Sequence, residues 1–213
     1  MTGGFVLDPA DHAAFAAASG DRSPLHVDPA AARRRYPGEP VAHGVHVLLR
    51  AVDHAVTTDR FPVARPRTLS ATFVRPVLPG DRCAVEVAGT VLSVLVGGVP
   101  VLVLHVDDGP PGTPPPPDPR LLDAPADPAA AVAADLRLAD LDGAAGVAAG
   151  VPDPDALARL VPGAVRLLGA DVVADLAAVS ALVGMRAPGR RALLADLRVD
   201  PAPAPGSVRT APG

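Results

Sequence analysis

Between residues 43 and 58 apolar residues return every three or four positions, with Val45, Leu48, Leu49, Val52 and Val56 on one face. This spacing predicts a long helix over 43–58. After a proline-marked connection at 61–66 the pattern changes. Residues 67–75, Arg-Thr-Leu-Ser-Ala-Thr-Phe-Val-Arg, are rich in β-formers and read as a strand. Pro76 to Asp81 reads as a turn, and strands follow at 82–90 and 91–105. Gly97-Gly98-Val99-Pro100 divides the last of these as a hairpin. Upstream, 3–7 can form a short strand. Asp8-Pro9-Ala10-Asp11 opens an Ala-rich helix over 9–18 that packs through Phe15. Asp28 as N-cap with Pro29 behind it opens another helix over 29–36.

Seven prolines fall between 109 and 119, too many for a helix or a strand, so this stretch reads as a semi-rigid linker. Beyond it, 121–150 has no clear period. Residues 153–168 are helical with an interruption at Pro162-Gly163, 165–184 form a second apolar helix, and 190–199 form a strand. A long apolar helix, a Gly/Pro turn and a strand repeat the layout of the first half. The expected organisation is a first domain at 1–108, a linker at 109–128, and an incomplete second unit of the same kind at 129–213. With one convincing strand, the second unit is expected either to lean on the first and lend it a wall or to be a truncated version of a longer one.

Composition narrows the function classes. A chain of 213 residues can bury a core without staples. One cysteine, Cys83, allows no internal disulfide and suits a reducing compartment; its place in a strand is that of a half-buried small residue. A net charge of −4 and 2% aromatic residues argue against a nucleic-acid binder. No secretory leader or membrane span is legible, which makes the expected location cytoplasmic. All the basic residues are Arg, so composition partly reflects coding bias, and the proline content is discounted accordingly. The six histidines show no metal-ligand spacing with Cys or acidic partners, so no metal is expected.

The chemistry concentrates in two stretches. In Ser19-Gly-Asp-Arg-Ser-Pro-Leu-His-Val-Asp28, Pro24 keeps the segment out of a helix interior, so a loop can aim Asp21 and His26 into one cavity. An acid and an imidazole meeting there make a proton-transfer pair near neutral pH. In Glu39-Pro-Val-Ala-His-Gly-Val-His, Pro40 and Gly44 precede the apolar run. The amide of Gly44 then lies at a helix start, where a developing oxyanion can be held.

Gly20-Asp21-x-x-Pro24-Leu25-His26-x-Asp28 followed by Pro40-Val41-Ala42-His43-Gly44 resembles the MaoC-like dehydratases, the (R)-specific enoyl-thioester hydratase (hydratase 2) family, over roughly residues 5–107. Phe73-x-Arg-Pro-Val-x-x-Gly-Asp81 resembles the strand and turn that follow the family's central helix, and Ser180 to Gly189 the helix end of its tandem forms. The sequence departs from the family at Ser23, where the family carries Asn.

The resemblance implies an α+β hot-dog fold, an antiparallel sheet wrapped round a long central helix, in a double-hot-dog form with a degenerate second half. It implies reversible hydration of a trans-2-enoyl thioester to the (R)-3-hydroxyacyl thioester, without a bound cofactor because the substrate rides on coenzyme A or phosphopantetheine. Asp21 and His26 would hold the water and exchange protons, and the Gly44 amide would hold the thioester oxygen. Ser23, Pro24, His43 and Val45 are expected against the substrate. Arg33 and Arg34 either face solvent or meet its phosphates. Expected partners are the acyl thioester, an acyl carrier protein and a second copy of the chain, in fatty-acid or polyketide metabolism. Two other readings stay open: a non-catalytic acyl-thioester-binding hot dog, and a thioesterase working from Asp53 on the central helix. Asp53 otherwise reads as a solvent-facing or dimer-contact residue.

Overall fold

The computed structural model describes residues 3–109, 121–122, 132–135, 147–148, 152–186, 189 and 193–199. The proline-rich stretch from 110 to 120 and the end from 200 lie outside them, so the linker expected there is not described.

The N-terminal half runs β1 (Gly3–Val6), α1 (Pro9–Ser19), α2 (Pro24–Val27), α3 (Pro29–Ala32), α4 (Gly44–Thr57), β2 (Thr68–Phe73), β3 (Arg82–Ala88), β4 (Val91–Val96) and β5 (Val99–Asp107). Two short strands, β6 (Leu121–Leu122) and β7 (Val147–Ala148), pair in parallel with each other. Then come α5 (Pro154–Leu160), α6 (Pro162–Leu168), α7 (Ala170–Met185) and β8 (Asp196–Val199).

One antiparallel sheet carries the order β1-β3-β4-β5-β2-β8. Its inner face meets α4, whose Val45, Leu48, Leu49 and Val52 pack in one core with Leu69, Leu92, Leu102 and Leu104. An antiparallel sheet wrapped on a long buried helix is the hot-dog arrangement. The hairpin between β4 and β5 turns at Gly97 and Gly98, both at positive φ (59° and 79°), which glycine adopts without a Cβ clash.

Three local expectations need correction. The 19–28 segment is not all loop: Pro24 stands at the first position of the one-turn helix α2, where its missing N–H costs nothing. The 29–36 helix stops at Ala32, and Arg33 to Arg35 follow in a turn. The 165–184 helix is two elements, because Gly169, at φ 90°, ends α6 and α7 starts afresh.

The C-terminal half packs on the first. α5 lies on α1, α6 and α7 lie on α4, and β8 pairs with β2 as the sixth strand. The outer side of α4 is tied down as well. Arg50 donates to the Leu160 carbonyl, and the Gly163 amide donates to Asp53 Oδ1 at 2.6 Å. A Cβ at Gly163 would stand 2.9 Å from the Asp53 carbonyl, so glycine permits this approach. Asp53 is therefore half-buried against α6, not solvent-facing. No single helix among the described residues is long and apolar enough to cross a membrane.

Candidate active site

Asp21 follows Gly20, which ends α1 in the left-handed conformation at φ 76° and turns the chain inward. The carboxyl is 1% exposed. Oδ1 accepts the Ser23 amide at 3.2 Å, and Oδ2 accepts the Ser180 hydroxyl, from α7, at 2.7 Å. Burial pushes the carboxyl above its ordinary range, while nearby His26 and the two hydrogen bonds pull the other way.

His26 sits on α2. Its Nδ1–H donates to the Val41 carbonyl at 2.8 Å, which leaves Nε2 of the neutral ring as a bare acceptor. Asp21, His26 and Gly44 all line one cavity of about 220 Å³. Most of its wall is apolar, with Val47 from α4, Phe73 from β2, Leu102 from β5, Val183 from α7, and Leu193 to Ala195 just before β8, and Arg75 and Ser180 add polar groups. Gly44 opens α4 without a side-chain cap, so the first amides of a 14-residue helix lack intrahelical partners. A Cβ at Gly44 would come within 2.9 Å of the Phe73 ring, so β2 closes directly over the helix start.

Behind the pair stands a stack of buried imidazoles. His43 is fully buried; its Nε2–H donates to the Asp21 carbonyl at 2.9 Å and lies 3.8 Å from Oδ2. Burial holds His43 well below the usual histidine range, so at neutral pH it is an uncharged donor and not the cation of an ion pair. The His26 and His43 rings lie 4.0 Å apart, and the His12 ring is 4.8 Å from that of His43. His46 stacks on Phe15 at 4.8 Å and 7°.

One ligand atom from each of Asp21, His26 and His43 lies within 4.8 Å of the others. The spacing of these three residues along the chain gives no sign of this grouping. His43 Nε2 is already committed as a donor to the Asp21 carbonyl.

Of the residues expected at the site, Asp21, His26 and Gly44 line the cavity. Ser23 is fully buried, and its hydroxyl has no hydrogen-bond partner among the described residues. It touches Asp21 through its amide. Pro24 starts α2, Val45 is fully buried in the core, and His43 meets Asp21 from behind. Arg33 and Arg34 are exposed on the turn after α3. None of these six is part of the cavity wall, and Asp53 is absent from it too. Cys83 is fully buried in β3, where burial and Asp81 push its thiol up to about 11, so it makes a poor nucleophile.

Ser180 and Gly184 fall in a run that the sequence marks only as a helix end, not as part of a site. They stand one turn apart on the same face of α7. A Cβ at Gly184 would overlap the Asp21 carboxylate, so this turn of α7 is shaped to the carboxyl group. His12 was missed as well.

The family profile described as "MaoC like domain" matches residues 3–91. Among solved structures, a MaoC-like dehydratase aligns over 87% of this chain and 75% of its own, at 14% identity and a TM-score of 0.50. An (R)-hydratase from A. caviae involved in PHA biosynthesis aligns over 50% of this chain and 89% of its own, at 27% identity and a TM-score of 0.40. An R-hydratase from Pseudomonas aeruginosa in the unliganded form aligns over 50% and 74%, at 28% identity and a TM-score of 0.36. No curated protein sequence gives a significant match. Residues 3–91 of this chain thus match a MaoC-like domain, and the fold is a hot dog.

Proposed function

We propose that the protein is a hydro-lyase that adds water reversibly to a trans-2-enoyl thioester, giving the (R)-3-hydroxyacyl thioester. The observation that carries this reading is the meeting of Asp21, His26 and the start of α4 at the wall of one apolar cavity. The acyl chain fits the apolar walls, and the thioester oxygen is turned to the Gly44 amide, where negative charge develops as C3 is attacked. One such donor is worth roughly 3–4 kcal/mol at the transition state.

Addition needs one proton taken and one given. In the resting pair we place one proton on the Asp21 carboxyl, in keeping with its upward shift, and leave the His26 Nε2 free. Nε2 takes a proton from water as its oxygen bonds to C3, and the carboxyl gives its proton to C2. The pair keeps its proton count with the proton now on His26, and transfer between the two restores the start. Acid–base help of this kind is worth about 10²- to 10⁴-fold.

Hydrolysis from Asp53 is disfavoured, since that carboxylate is bound to the Gly163 amide and lies outside the cavity wall. The division into two units belongs to the proposal as well. α4 is followed by β2 and α7 by β8, and β2 pairs antiparallel with β8. This supports a degenerate double hot dog in which the second unit walls the acyl pocket. Carriage of the substrate on coenzyme A or an acyl carrier protein, pairing as a homodimer, a cytoplasmic location and a place in fatty-acid or polyketide metabolism complete the reading.

Product analysis with crotonyl-coenzyme A tests it. The (R)-3-hydroxybutyryl thioester should appear with no free thiol released. Release of coenzyme A would instead mark a thioesterase, and binding without turnover of this or a carrier-protein substrate a non-catalytic binding module.

A further inference from the structure

His12 lies in α1, buried, and its Nε2–H donates to the His26 carbonyl at 3.1 Å. That carbonyl belongs to the end of a four-residue helix, where backbone C=O groups have no partner within the helix. His12 is the side chain that occupies it. His43 makes the matching bond to the carbonyl of Asp21, and the two imidazoles pack together. Each member of the cavity pair is thus held through its backbone by a buried imidazole, and the residue that holds His26 comes from another helix.

We infer that His12 is a positioning residue for His26, fixing the short helix α2 so that the His26 ring reaches Val41 through Nδ1 and presents Nε2 to the cavity. The role requires an uncharged ring with its proton on Nε2. Burial holds His12 below the usual histidine range; the hydrogen bond to the His26 carbonyl opposes that shift, the His26 ring adds to it and Asp21 opposes it, with His43 and His46 as the other titratable groups facing the ring. Without the bond, α2 keeps its Asp28 amide to Pro24 carbonyl link and the Val41 amide bond to Leu25, but loses its side-chain hydrogen bond from α1. His26 Nδ1 then no longer holds the Val41 carbonyl as firmly.

The kinetic part of the test rests on the hydration reading and the spectroscopic part does not. His12→Leu keeps apolar volume and removes the donor, whereas His12→Gln places an amide N–H near the lost Nε2–H. With crotonyl-coenzyme A, His12→Leu should lower kcat by about 10- to 100-fold with KM changed by no more than about twofold, and His12→Gln should recover most of the loss. Long-range proton–nitrogen spectra of the His26 ring, recorded without substrate, should show the Nδ1–H tautomer in wild type and His12→Gln and a mixture in His12→Leu. A single Nδ1–H tautomer persisting in His12→Leu overturns the inference. So does equal loss of kcat in both variants with an unchanged ring, which would mark His12 as packing only. If wild type fails to hydrate any thioester, the functional proposal falls and the tautomer alone decides the role of His12.

Discussion

Ser180 and Asp21 are 159 positions apart in the chain, yet the serine hydroxyl donates to the carboxylate at 2.7 Å inside the protein. The carboxyl group of the N-terminal half is therefore completed by a helix of the C-terminal half. A hydrogen bond to a charged group is worth about 1.5–3 kcal/mol.

Ser180→Ala removes that bond and leaves Asp21 with a higher proton affinity, because the hydroxyl stabilises the carboxylate form. The sign follows directly. In the working pair that proton sits on Asp21 and is now lost only at higher pH, so the basic limb of the kcat/KM profile should move upward. Hydration at neutral pH should fall by roughly 10- to 100-fold, read from pH–rate profiles of both proteins. Ser23→Ala should leave the limb in place, since Ser23 meets Asp21 through its amide.

Gly184→Ala tests the same contact by volume. A methyl group there overlaps the Asp21 carboxylate, and the atom it meets is not the free end of a flexible chain. Hydration should drop by about 10²-fold, as expected when a reacting group is displaced by an ångström. A melting curve should show a loss of about 1–3 kcal/mol from overpacking.

These contacts mark the limit of what the sequence reveals. α4 was legible because Val45, Leu48, Leu49 and Val52 recur at helical spacing, and the β4–β5 hairpin because Gly97-Gly98 is the pair such a turn needs. Asp21 and His26 stood out because Pro24 between them restricts the chain. α2 was not legible, since a proline read as a breaker also starts a helix at its first position. Ser180 sits in an apolar helix with no polar pattern around it, and its partner is half a chain away. His12 looked like a lone polar residue in an Ala-rich helix. Its meaning depends on where α2 ends, which local spacing does not encode.

The imidazole stack should govern acid stability. Burial lowers the pKa of His12, His43 and His46, that of His46 to about 3. Below the ordinary value of 6.5 the unfolded chain binds these protons and the folded chain resists them. Stability should therefore be full above that pH and fall as pH drops toward the folded values, by up to about 1.4 kcal/mol per pH unit for each ring. Neither His46 nitrogen has a partner among the described residues, and its ring lies flat on Phe15. His46→Phe should thus add about 1–3 kcal/mol at neutral pH and flatten the acid limb, as read by urea unfolding from pH 7 to 4.

Asp53→Ala removes the acceptor that holds the Gly163 amide and should cost about 1–2 kcal/mol of stability. Turnover per folded molecule should stay at the wild-type level. A selective loss of activity with stability intact would return Asp53 to the list of reacting groups.

The account stands or falls on the pair at the cavity wall. Ultraviolet absorbance at the enoyl-thioester band, followed with crotonyl-coenzyme A for wild type, Asp21→Asn and His26→Ala, reads it most directly. The account predicts loss of the band with wild type and a rate lower by about 10²- to 10⁴-fold in each variant, all three proteins being equally folded. Hydration by wild type that persists unchanged in either folded variant would contradict it.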